Sequence, residues 1–79
     1  MRTAYLDPDF RRKPKTTHFC CACQKDLGDR PHRLVMVRSD GFEVVLPMDW
    51  AEGAKAGGVV QPIGADCARR IGLEWSVIP

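Results

Sequence analysis

His18-Phe19-Cys20-Cys21-Ala22-Cys23-Gln24-Lys25-Asp26-Leu27-Gly28 is the stretch on which the fold of this chain turns. Cys20 and Cys23 form a C-x-x-C pair with Cys21 between them. Two intervening residues is the spacing of a tight turn, which lets both sulfurs reach one tetrahedral metal ion. A further cysteine, Cys67, lies far downstream in Ile63-Gly64-Ala65-Asp66-Cys67-Ala68-Arg69-Arg70-Ile71, at the mouth of a predicted helix. The expectation is a structural zinc site closing a small α+β domain.

The chain's size supports a staple of this kind. With 79 residues it is one domain, and a domain this short gains little more from its core than it loses in ordering entropy. Disulfides or a metal commonly supply the difference, and four cysteines could serve for either. The N-terminal Met1-Arg2-Thr3-Ala4-Tyr5-Leu6-Asp7-Pro8 has no apolar core of a signal peptide, and no run is long enough to span a membrane. The expected setting is therefore cytoplasmic, without membrane association, where thiols stay reduced and metal binding is favoured. Adjacent Cys20 and Cys21 are also poor partners for a disulfide.

Working outward, residues 1–17 read as a basic, flexible arm, and residues 18–79 as the zinc-finger-like domain. The arm carries Arg11, Arg12, Lys13 and Lys15 around Pro14 and has no helical or strand period. Beyond the cysteines, His32-Arg33-Leu34-Val35-Met36-Val37-Arg38 and Phe42-Glu43-Val44-Val45-Leu46 read as a β-hairpin turned by Ser39-Asp40-Gly41. Asp49 is placed as N-cap of a short helix that Gly57-Gly58 stops, with Gly53 as a weak point in it. Val59–Ile63 returns in extended form. Asp66 is placed as cap of a helix through Cys67 that ends at Gly72, and Leu73–Ile78 as a closing strand.

This order of cysteine knuckle, β-hairpin, insert and cysteine on a C-terminal helix resembles the treble-clef zinc finger. It is similar to small zinc-binding proteins of phages and mobile elements that carry C-x-x-C followed by G-x-x-C, matched here by Cys20, Cys23, Gly64 and Cys67. The resemblance implies zinc held by both parts of the chain. In the usual pattern the second pair is also C-x-x-C, and Gly64 stands in place of its first cysteine. The fourth ligand must then come from elsewhere. His32, at the start of the hairpin, is the first choice, followed by His18 and Cys21, then Asp66 or water.

The same reading argues against an enzyme. No βαβ context surrounds the C-x-x-C, no carboxylate or histidine pair is spaced to act as a general base, and no small-molecule substrate is expected. Two binding roles remain. One is an interaction module, of the kind a phage-derived regulator or inhibitor provides, docking on a larger protein complex with Trp50 and Trp75 as possible anchors. The alternative is nucleic-acid binding, with phosphate contacts from Arg11, Arg12, Lys13, Lys15, Arg69 and Arg70, and with Lys25, Arg30 and Arg33 extending the strip. The net charge of +2 is low for a dedicated nucleic-acid binder.

Overall fold

The computed structural model describes residues 3–6, 13–38 and 42–79. Among the described residues, four strands, β1 (Thr3–Tyr5), β2 (His32–Arg38), β3 (Glu43–Val45) and β4 (Val59–Gly64), form one antiparallel sheet in the order β1-β3-β2-β4. The α-helices α1 (Trp50–Lys55) and α2 (Ala65–Ile71) give the described residues an α+β build.

The expected hairpin is present, and its β2 is an interior strand of the sheet, between β3 and β4. Val35, Met36 and Val37 are all buried, so both faces of the sheet are covered at this point. Val37 lies opposite Val44 in the β2–β3 register. Together with Val35, Ile63, Ala68, Trp75, Cys20 and Cys67, these two valines form the principal core, on the face covered by α2 and the knuckle. Met36 and Val45 also lie opposite each other and meet α1 on the second face, where Gly53 makes the approach close. A Cβ at position 53 would stand 2.7 Å from Met36 Sδ, so the glycine that weakens the helix is what lets it lie flat on the sheet. At the turn end of the hairpin Arg38 and Glu43 pair at 2.6 Å. The turn at Ser39-Asp40-Gly41 lies outside the described residues.

Several expectations need correction. Within the stretch read as an arm, Thr3–Tyr5 pair with β3, and Leu6 is buried in the core. Lys15 and Thr16 are tied through their backbone N–H groups to the Asp26 carboxylate, which also accepts a bond from Thr16 Oγ1 at 2.7 Å. Arg11 and Arg12 lie outside the described residues. Asp49 does precede α1, but its side chain makes no capping bond, because a 3-10 turn over Pro47–Asp49 already leads into the helix. Helix α2 begins at Ala65 with Gly64 at the cap position, so Asp66 is inside the first turn and pairs with Arg69 one turn on.

The closing segment is not a strand. Gly72 adopts φ 106°, a conformation that favours glycine, and turns the chain into a 3-10 helix over Leu73–Trp75. Only Val77 rejoins the sheet, through a two-bond bridge to Leu34. Arg33 holds this end in place, its Nε donating to Ser76 Oγ at 2.6 Å and its Nη2 to the Ser76 carbonyl at 3.1 Å.

Candidate metal centre

The knuckle is a short ribbon closed by backbone bonds. Cys20 N–H donates to the Lys25 carbonyl at 2.9 Å, Gln24 N–H to the Cys20 carbonyl at 2.9 Å, and Leu27 N–H to the His18 carbonyl at 3.0 Å. Gln24 takes φ 64°, the left-handed conformation that reverses the chain after Cys23. Cys21 N–H donates to the Pro62 carbonyl at 3.0 Å and so fastens the ribbon to β4, directly before the strand passes into α2. Cys67 is in the first turn of that helix.

These connections bring Cys20, Cys23 and Cys67 together, with their three Sγ atoms within 4.8 Å of one another. Three thiolates on a tetrahedral ion with ~2.3 Å bonds would be about 3.8 Å apart, a spacing that lies within this limit. All four cysteines are free thiols. Cys20 is fully buried and Cys67 nearly so, while Cys23 is half-buried.

The surroundings of Cys20 favour its thiolate form. Burial pushes its thiol up, but bonds from the N–H groups of Cys23, Gly64 and Ala22 together outweigh burial and leave it below its ordinary value. Cys67 behaves oppositely: burial, reinforced by the neighbouring Cys20 charge, raises it to about 12. Without a cation, three thiolates at this spacing repel one another, and a divalent ion removes that repulsion. Cys21 is also raised to about 12, by burial first and then by the Cys20 charge. It packs against the core rather than joining the cluster.

Among the described residues, the cluster contains neither histidine. His32, the first choice for a fourth ligand, meets the His18 ring edge-to-face at 4.7 Å, and its Nδ1 lies 3.4 Å from the Arg30 carbonyl. Asp66 does line the cleft onto which the cysteines open, together with Lys25, Arg30 and Arg69. The cleft has a volume of about 330 Å³.

The other singled-out residues are dispersed. Lys13, Arg69 and Arg70 are exposed, and so is Lys15 apart from its backbone bond. Arg33 does not extend a basic strip, because its guanidinium is engaged by Ser76 and Leu73. Trp75 is buried in the core and Trp50 is half-buried with Nε1–H bonded to the Val45 carbonyl, so neither is an exposed anchor. Sequence reasoning missed Asp26 as the group that fastens Lys15 and Thr16, and missed Gly64 as a donor to Cys20. No pattern marks the first, while the second was accessible from the position of Gly64 three residues before Cys67.

Comparison with protein-family models, with curated proteins and with solved structures gives no match for this chain. Among the described residues, no helix is long and apolar enough to cross a membrane.

Proposed function

We propose that this chain is a small zinc-stabilised binding module of treble-clef-like build, which acts by docking on a larger protein and not by catalysis. The observation that carries the reading is the convergence of Cys20 and Cys23 from the knuckle with Cys67 from α2. A metal there ties together two parts of the chain that are far apart in sequence and contributes folding energy. An all-thiolate donor set favours zinc among the divalent ions that accept tetrahedral geometry.

A protein partner is favoured over nucleic acid because the basic strip is interrupted. Arg33 is committed to Ser76, and Arg69 is paired with Asp66. Metal content of protein purified without added metal, with circular dichroism before and after chelation, tests the site. One zinc per chain and loss of structure on chelation are expected, whereas a metal-free chain that stays folded would remove the basis of the proposal. Titration with mixed-sequence DNA and RNA across a salt series tests the partner class. Tight binding that weakens steeply with salt would replace the protein partner by a polyanion.

A further inference from the structure

We infer that the metal centre keeps its fourth coordination position for a small organic anion that binds in the cleft through a thiolate or carboxylate donor. This rests on the metal-binding reading above and goes beyond it by assigning a ligand. The chain brings three donors to one point, and among the described residues no fourth His, Cys, Asp or Glu joins that group. The cysteines open onto a cleft of about 330 Å³, far more than an ion requires and within the range of small-ligand pockets. A catalytic-type zinc site with three protein ligands leaves its fourth position to water or an external donor in the same way.

The surroundings define the charge of that donor. A divalent ion on three thiolates carries one net negative charge, and a fourth anionic donor adds another. Lys25, Arg30 and Arg69 line the same cleft against a single carboxylate, Asp66. Asp66 is paired with Arg69, which leaves Lys25 and Arg30 without an ion pair among the described residues. Two cationic side chains beside an anionic metal centre favour an incoming anion over a neutral or cationic ligand with the same donor atom.

The test uses the full chain loaded with Co²⁺ and kept reduced with a phosphine, so that no reductant thiol competes. Thiolate-to-cobalt charge-transfer absorption counts the metal–sulfur bonds. Mercaptoacetate should raise that absorption by about a third, from three bonds to four, and saturate at one equivalent per chain. Cysteamine, with the same thiol donor on a cationic molecule, should bind about tenfold more weakly. In the Lys25→Ala/Arg30→Ala double variant that preference should disappear while cobalt binding itself persists.

Cobalt bound with a three-thiolate spectrum that no added ligand changes would overturn the inference while sparing the metal reading. A wild-type chain that is unresponsive beside a responsive Asp66→Ala variant would overturn it too, by identifying Asp66 as the fourth ligand. Equal affinity for the two thiols would refute the anion preference. A chain that takes up no cobalt would refute the metal reading, and the ligand with it.

Discussion

Gly64→Cys should convert the three-cysteine cluster into a four-cysteine site, and the structure allows the size of the effect to be worked out. Position 64 has φ −61° and ψ 150°, which any residue adopts. A Cβ there would meet Leu27 Cδ2 at 3.6 Å, Cys20 Sγ at 3.7 Å and Cys20 Cβ at 3.8 Å, all ordinary van der Waals contacts. The Cβ itself is therefore accommodated without a clash, and loss of glycine freedom in the unfolded chain should itself stabilise the fold by about 0.5–1 kcal/mol. The backbone N–H that bonds to Cys20 Sγ is retained.

The larger effect is on the metal. Structural zinc sites bind with about 10–16 kcal/mol in all, or about 3 kcal/mol per ligand, so a fourth thiolate should tighten binding on the order of 100-fold. Competition against a chromophoric chelator measures that change, again under a phosphine reductant because the new thiol would lie close enough to Cys20 to form a disulfide. The cobalt charge-transfer band should rise by about a third, and mercaptoacetate should no longer alter it. A folded variant with unchanged affinity and an unchanged band would show that the Cβ of residue 64 does not face the metal, and would refute the geometry of the site.

Three other perturbations test separate parts of the structure. At Gly58 an added Cβ would stand 2.7 Å from the Gly53 carbonyl oxygen and 2.8 Å from Met36 Sδ. Gly58→Ala should therefore cost about 1–3 kcal/mol, a fall in Tm of roughly 5–20 °C by calorimetry, with metal stoichiometry unchanged. Metal affinity should rise with pH, because the Cys67 thiol, at about 12, must give up its proton to bind. At least a tenfold gain per pH unit between about pH 6 and 8 is expected by chelator competition, and a flat profile would show that Cys67 is not a ligand. Asp26 is held below the usual carboxylate value by bonds from the Lys15 backbone, the Thr16 hydroxyl and the Thr16 backbone. Its contribution is thus complete above the ordinary carboxylate range and is lost as the pH falls through its depressed value, so the Lys15 and Thr16 amide signals should move together in an acid NMR titration, and Asp26→Asn should shift them at neutral pH.

How much of this was readable in the sequence depends on how local its cause is. The knuckle and the β2–β3 pair were legible because C-x-x-C spacing and two β-branched runs around Asp40-Gly41 are short-range signals. Cys67 was legible only through its partners, since a lone cysteine on a helix is usually just buried. β1 was not, because three residues paired through their backbone carry no period that reveals it. The Leu73–Ile78 segment, apolar with a central tryptophan, has strand composition, yet Gly72 and the Arg33–Ser76 bonds impose a different path. His32 was attractive by chain order, but its ring is met by His18 and its Nδ1 by the Arg30 carbonyl, a placement that only the folded arrangement of the two histidines reveals.

With a metal bound at the three cysteines, the metal, the fold and the cleft would be thermodynamically one system. A metal bridge between Cys23 and Cys67 would close a loop of about 45 residues, and a cross-link of that span removes about 4 kcal/mol of unfolded-state entropy. For a domain of this size that is a large share of a total stability of about 4–12 kcal/mol. The same bridge would join the two walls of the cleft, Lys25, Leu27 and Arg30 on the knuckle side with Asp66 and Arg69 on α2. A ligand that engages the metal only when both walls are in place stabilises the folded chain by mass action, by about 2.7 kcal/mol at a hundred times its dissociation constant. That is the same order as the contribution of the cross-link itself. Occupancy of a fourth position on that metal would therefore be coupled to how firmly α2 is held against the knuckle, and through Ile63 and Ala68 to the principal core of the domain.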